Sequence, residues 1–414
     1  MGRLNISEKS IRKLLYCLFV VAVFSRIFIF SWSQPWATKY LLFNVPAMDY
    51  PGADIRNIQV AAHCFREGVP YYGSGSCISN PEFLRTGDPR ASAPALNYPA
   101  LWVKVYGLFK DDSEEFFRKF WTANALLVTA AMVILAFRFN YRSLPLLLFS
   151  PVTLLAIERG NIDATTFFFT FIPLLVFSTS AALQSFFIGV ASSLKIFPCF
   201  AYFAVARRQP PYFSKAIIFG AALAAPLAVA SFVEIPHLIH GTQLAFAAAY
   251  GISSLKYAPY LNSHLPLAYL VMALFLIGMA VCIWGMTKNP QLSVTVDADL
   301  TGVSFIGLTV LGVSCAIYLF TFLTFANYAY RLIFVMPAFL VLCNGRSHLS
   351  KLVCGNILFT LWIPFIPHGW TVQNLTCFPL FVLLAFVFLR VMRMRFALAG
   401  VHNTEIAQPS GAAG

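Results

Sequence analysis

Apolar residues recur along this chain in blocks about 20 residues long, the length a helix needs to cross the hydrocarbon of a bilayer. The blocks run from Leu14 to Leu389 with charge confined mainly to the segments between them. Of 414 residues, 59 % are hydrophobic and 11 % charged, against about 45–50 % and about 25 % in a soluble domain. A soluble enzyme is excluded, and no large soluble domain fits in what remains. Twelve crossings would use about 240 residues. The sequence therefore predicts an all-α polytopic membrane protein of about 12 transmembrane helices, forming one domain over 1–400. The Gly- and Ala-rich tail over 401–414 is expected to be disordered and cytoplasmic. The net charge of +13 sits beside apolar blocks, so it reads as a topology signal and not as a nucleic-acid footprint. Nine cysteines are scattered without CxxC spacing, which argues against a structural zinc site.

Arg3, Lys9, Arg12 and Lys13 precede the first block, Leu14 to Phe30, and place the N-terminus in the cytoplasm. No small-residue cleavage site follows, so this block reads as a retained helix. From residue 31 to 117 no run is long enough to span, which makes a long first extracytoplasmic loop. Later blocks lie at Phe120–Phe137, Leu144–Ile157, Ala164–Phe177, Leu183–Ala206, Ala216–Val233, Leu265–Met286, Gly302–Phe325, Leu332–Cys343, Leu352–Ile366 and Cys377–Leu389. The block with Lys195 at its middle and Pro198 just after it is expected to break there into two half-crossings. With that break, Arg207, Arg208 and Lys215, Lys288, Arg346 and Lys351, and Arg390, Arg393 and Arg395 all fall on the cytoplasmic side, and so does the C-terminus. Twelve of the sixteen acidic residues then lie on the outer side or at its boundary, which places any chemistry outside.

Two clusters there carry candidate chemistry. In the first loop, Pro51-Gly52 predicts a turn, Asp54 an N-cap, and Ile55, Ile58, Ala62 and Phe65 an apolar stripe suited to a short helix on the outer membrane surface. Asp54 reads either as that cap or as a carboxylate base facing a lipid-borne substrate, with Asp49 the alternative. The second cluster, Glu158-Arg159-Gly160-Asn161-Ile162-Asp163, is more polar than a tight turn requires. It reads as a solvated loop or as a binding site, with Arg159 on a phosphate and Asn161 or Asp163 on sugar hydroxyls. Lys195 and Arg331 are isolated cations near the outer face; Arg331 has Tyr328 and Tyr330 beside it, which suggests a shaped site. Glu234, His237, His240, His264 and His368 lie at outer boundaries. Cys64 and Cys77 share the first loop and would pair in an oxidising compartment. Asn374-Leu375-Thr376 is a glycosylation triplet on the expected outer side.

The pattern Asp54, Ala61-Ala62, Gly68 and Tyr71, followed by Asn97-Tyr98-Pro99, resembles the GT-C membrane glycosyltransferases. It is most similar to glycosyltransferase family 87, which includes polyprenyl-phosphate-mannose-dependent mannosyltransferases. Glu158-Arg159-Gly160-Asn161 and the Lys195-Ile196-Phe197-Pro198 break are similar to what members show. The resemblance implies a GT-C-type bundle in a bacterial inner membrane. It implies inverting transfer of a sugar, a hexose such as mannose, from a polyprenyl-phosphate carrier to an acceptor hydroxyl outside, with Asp54 as general base. The donor phosphate would be held by Arg159, Lys195 and Arg331. Glu158, Asn161, Asp163, Tyr328 and His264 would bind sugar or acceptor. The first loop has no DxD motif, so no metal or cofactor is expected. The rival reading is a lipid or glycolipid transporter, since broken helices and intramembrane charge occur there too; the absence of an internal repeat counts against it. An acyltransferase would need a His inside an intramembrane site, and here the His residues sit at boundaries.

Overall fold

In hydrocarbon a backbone must satisfy its own polar groups, and helix is the local way to do so. The computed structural model describes residues 7–33, 44–45, 52–68, 98–109, 113–205, 211–232, 249–257, 261–324 and 327–406. Its helices are α1 (Glu8–Ser33), α2 (Ala53–Arg66), α3 (Ala100–Leu108), α4 (Glu114–Arg138), α5 (Leu144–Leu148), α6 (Pro151–Arg159), α7 (Asp163–Val176) and α8 (Ala181–Leu194). There follow α9 (Ala201–Val205), α10 (Pro211–Phe232), α11 (Leu265–Lys288), α12 (Pro290–Thr301), α13 (Phe305–Thr324), α14 (Met336–Leu342), α15 (His348–Trp362) and α16 (Gly369–Ile406). A short antiparallel ladder, β1 (Ala249–Tyr250) with β2 (Asn327–Tyr328), pairs Ala249 with Tyr328 and Tyr250 with Asn327.

Among the described residues, four helices are long and apolar enough to cross a membrane: α4, α11, α13 and the Gly369–Arg395 part of α16. On α11, Leu270, Leu274, Ile277 and Val281 are each more than half exposed, a row that a monomeric soluble protein would cover. α13 is the opposite case, buried along nearly its whole length and packed against α7, α9, α14 and α16. It forms the centre of the bundle.

The other blocks give shorter or broken helices. Leu144–Ile157 splits into α5 and α6, because Ser150 caps the second helix, accepting from the Thr153 N–H at 3.3 Å, and Pro151 starts it. α7 and α8 have 14 residues each, about 21 Å of helix against about 30 Å of hydrocarbon. The break at Lys195 falls where the sequence predicts it. α8 stops at Leu194, Lys195 is extended (φ −160°, ψ 134°), and a 3-10 turn over Phe197–Phe200 leads into α9. The Leu194 carbonyl orphaned by that break accepts from Trp102 Nε1 at 2.9 Å. Leu332–Cys343 is likewise entered through a 3-10 stretch, Ala329–Val335, before α14.

Two expectations for the first loop are corrected. The stripe of α2 does not lie on the membrane surface: Ile55, Ile58 and Ala62 are fully buried, with α3, α4 and α6 packed against the helix, and only Phe65 is exposed. Asp54 is not the N-cap either. The cap is Gly52, in the left-handed region at φ 66°, and no side chain caps the helix. The Gly52 N–H donates to the Glu158 carbonyl at 2.7 Å, so α2 is tied at its first residue to the end of α6. Asp49 lies outside the described residues.

Several basic residues read as topology signals are also internal ties. Arg390 Nε donates to Asp297 on α12 at 2.9 Å, and Arg395, buried, donates to the Ala204 carbonyl. Asp299 accepts from the Arg346 N–H at 2.9 Å and from Ser350 Oγ at 2.6 Å. Asn374 is fully buried in α16 with its amide on Ser254 Oγ at 2.6 Å, so its triplet is no glycan site. α16 continues to Ile406, and 407–414 lie outside the described residues.

The turn between α6 and α7 depends on glycine. Gly160 has φ +59°, and a Cβ there would stand 2.7 Å from Trp121 Cδ1 and 3.0 Å from Gly52 Cα. Gly160→Ala combines a left-handed alanine, about 1–2 kcal/mol, with overpacking of about 1–3 kcal/mol. Thermal unfolding of the detergent-solubilised variant is expected to show a clear loss of stability, where Gly68→Ala, left-handed but with open space around it, loses less.

Candidate active site

The turn that ends α6 and starts α7 brings its polar residues together because Gly160 reverses the chain in two residues. The Asn161 N–H donates back to the Ala156 carbonyl at 3.0 Å, and Asn161 Oδ1 accepts from the Asp163 N–H at 2.8 Å. Asn124 Nδ2, from inside α4, donates to the Asn161 carbonyl at 2.9 Å, and Thr165 Oγ1 donates to Asn124 Oδ1 at 2.6 Å. Trp121 Nε1 donates to the Ile157 carbonyl at 2.8 Å. The turn is thus braced from α4 before any ligand is considered.

Asp163 is fully buried and holds two cations. Lys195 Nζ lies 2.5 Å from its Oδ1 and Arg331 Nε 3.1 Å from its Oδ2. Lys195 Nζ also reaches Asn161 Oδ1 at 3.3 Å and sits over the rings of Tyr98 and Tyr330, at 4.9 and 5.8 Å from their centroids. The Arg331 guanidinium lies over Phe197 at 5.2 Å. Arg159 pairs with its neighbour Glu158 at 3.1 Å; Glu158 is fully buried and Arg159 is not.

Asp54, on the first turn of α2, faces the same turn. Asn161 Nδ2 donates to its carboxylate and also to Tyr98 Oη at 3.0 Å, and the Tyr98 hydroxyl donates to Asp54. Burial among these groups raises the Asp54 pKa above the ordinary carboxylate value, while Arg159, Lys195 and the bonds from Asn161 and Tyr98 hold part of that rise back. Burial and the neighbouring Asp54 carboxylate push the Tyr98 hydroxyl well up, so it stays protonated and donates. Of the three carboxylates gathered here, Glu158 and Asp163 are closed off and Asp54 alone is partly exposed.

The structure therefore brings together Asp54, Glu158, Arg159, Asn161, Asp163, Lys195 and Arg331. Tyr328 is stacked on Tyr330 with centroids 5.5 Å apart, within electrostatic reach of Asp54, Arg159 and Arg331. His264 is exposed at the head of α11, and the described contacts of the cluster do not include it. Sequence reading missed Asn124, a polar residue inside an apolar block and for that reason detectable, and gave no role to Tyr98. Cys64 is disulfide-bonded and seven other cysteines are free, while Cys77 lies outside the described residues. Among the described residues no group of three or more His, Cys, Asp and Glu is placed to hold a metal ion. Compared with models of protein families and with curated proteins, the chain matches none.

Asp163 carries the cluster's charge balance. Asp163→Asn removes the carboxylate that Lys195 and Arg331 share, at an expected cost of about 3–5 kcal/mol. Adding Lys195→Met to that variant removes one stranded charge and is expected to recover part of the loss. Thermal unfolding of the single and double variants measures both.

Proposed function

We propose that this protein is a GT-C-type glycosyltransferase, similar to family 87, that takes a sugar from a polyprenyl-phosphate carrier and passes it to a hydroxyl on the extracytoplasmic side. The observation that carries this reading is the state of Asp54. It is partly exposed, it does not cap its helix, and two donors aim its carboxylate while the buried acids beside it are occupied with cations. A carboxylate held in that way, with burial raising its pKa above the ordinary carboxylate value, suits a general base. The about 12 crossings, both termini in the cytoplasm and a bacterial plasma membrane belong to the same proposal. A disulfide at Cys64 supports an oxidising, outer location for the first loop.

In the reaction, the acceptor hydroxyl oxygen forms a bond to the anomeric carbon as its proton passes to Asp54. The bond from that carbon to the phosphate oxygen breaks, the electron pair leaves with the lipid phosphate, and configuration inverts. The phosphate needs positive charge as it departs. Arg159 supplies it most directly, being the most accessible of the three cations at 22 % exposure, against 17 % for Arg331 and 8 % for Lys195. Lys195 and Arg331, fixed on Asp163, set a positive field behind it. The buried ion cluster beside a broken helix also occurs in transporters.

Asp54→Asn removes a proton acceptor and little else, so transfer from a panel of polyprenyl-phosphate sugars is expected to fall at least 10²-fold while donor binding persists. Wild-type turnover in that variant removes Asp54 from the mechanism. The base must be ionised, so kcat/KM is expected to rise with pH through a bend above the ordinary carboxylate value of about 4. Asn161→Ala withdraws a bond that favours the carboxylate and should move that bend to higher pH. A bend that stays in place would assign it to another group.

A further inference from the structure

Every polar group of Asn161 is engaged. Its N–H donates to the Ala156 carbonyl and its own carbonyl accepts from Asn124 Nδ2. On the side chain, Oδ1 accepts from the Asp163 N–H at 2.8 Å and from Lys195 Nζ at 3.3 Å, while Nδ2 donates to the Asp54 carboxylate and to Tyr98 Oη at 3.0 Å. The chemistry of these partners fixes which way the amide faces. A backbone N–H and an ammonium can only donate, and an ionised carboxylate can only accept. Turned over, the amide would set donors against the Asp163 N–H and Lys195, and an acceptor against Asp54. The hydrogens therefore run one way, from Lys195 through Asn161 to Asp54, with a branch through Tyr98, whose hydroxyl donates to the same carboxylate.

Little of Lys195 is left for a ligand. Its ammonium lies on Asp163 Oδ1 at 2.5 Å, with Arg331 on the other oxygen, and over the rings of Tyr98 and Tyr330, and 8 % of the side chain is exposed. A cation on an amide oxygen polarises the amide and strengthens what its nitrogen donates. The other charged or titratable groups around Asp54 are Arg159 at the end of α6, Tyr98 ahead of α3, and Tyr328 and Tyr330 in β2 and the 3-10 stretch after it. Lys104 of α3 and Arg118 of α4 are exposed, and Glu114 of α4 pairs with Arg56 at 2.6 Å. Among the described contacts, Lys195 is the cation joined to Asp54 by a hydrogen-bonded bridge.

We infer that Lys195 is a positioning residue for Asp54 and not a contact of the donor phosphate: it locks the Asn161 amide so that its nitrogen faces the carboxylate. The use of this in transfer rests on the reading of Asp54 as the base, but the test does not require transfer. In the full-length protein reconstituted in lipid, the infrared carboxyl band of Asp54, identified as the band lost in Asp54→Asn, is titrated against pH. Lys195→Met leaves Arg331 on Asp163 and weakens a bond that favours the ionised form, so the Asp54 midpoint is expected to rise. In an Asn161→Ala background the same substitution should shift it by less than half as much. A midpoint that Lys195→Met leaves in place overturns the inference, and so does an equal shift with and without Asn161, which would give Lys195 a direct field and no bridge. Tyr98→Phe deletes one hydroxyl and leaves every ion pair, so it too should raise the midpoint; an unmoved midpoint would remove the branch. In transfer assays the bend in kcat/KM should follow the infrared midpoint, whereas a raised donor KM with the midpoint in place would make Lys195 a phosphate contact. A raised midpoint in a protein that transfers no sugar would uphold the positioning role and reject the transferase reading. Transfer with the midpoint unmoved would do the reverse.

Discussion

The fully buried Asp163 carboxylate, with Lys195 on one oxygen and Arg331 on the other, is the interaction on which the rest of the site depends. Each partner comes from a different interruption of helix: the turn at 160–162, the break at Lys195, and the 3-10 stretch after β2. An unpaired charge at any of these positions would cost several kcal/mol in a medium that hydrates it poorly. Paired, the charges hold three irregular segments at one point. The segments that do not span are therefore not defects in a bundle of long helices; they converge.

Helix ends expose carbonyl and amide groups, and these are tolerated at membrane depth only when protein satisfies them. Trp102 meets the Leu194 carbonyl and Trp121 meets that of Ile157. α2 enters from the first loop and closes the turn from its own N-terminus, through the Gly52 amide. The same packing that buries Ile55 and Ile58 brings Asp54 to Asn161 and Tyr98, so the fold of the loop and the aim of its carboxylate are one event. A surface helix, as the stripe alone suggested, would have left Asp54 facing headgroups.

Much of this was legible in residues. Lys195 followed by Pro198 marks a break, because neither a mid-block charge nor a proline suits a continuous span. The turn at 158–163 is too polar to be only a connection. Other features needed three dimensions. Ile55, Ile58 and Ala62 make the same pattern whether a helix packs on lipid or on protein, and only the partner helices decide. Pro51-Gly52-Ala53-Asp54 allows either Gly52 or Asp54 to open the helix; the left-handed Gly52, bonded to Glu158, takes the role. Block counting gave no warning that Leu144–Ile157 is two helices, although Ser150-Pro151 is a cap followed by a first-turn proline. Asp163 as the anchor of two cations was not readable at all, since Lys195 and Arg331 lie far away in sequence.

The cluster contains three carboxylates, Asp54, Glu158 and Asp163, and three cations, Arg159, Lys195 and Arg331, so it is close to neutral before a ligand arrives. The lipid phosphate of the proposed reaction would bring negative charge into it and would be met first by the most accessible cation. Lys195 and Arg331 are the less accessible cations, at 8 % and 17 % exposure, and both are held on the buried Asp163 carboxylate. Arg159 is bound to a neighbour one residue away, and its side chain is the most accessible of the three. Glu158, Asp163 and Lys195 are the buried part of the cluster; Arg159 and Asp54, partly exposed, are what the proposed reaction between a lipid phosphate and an incoming hydroxyl would need.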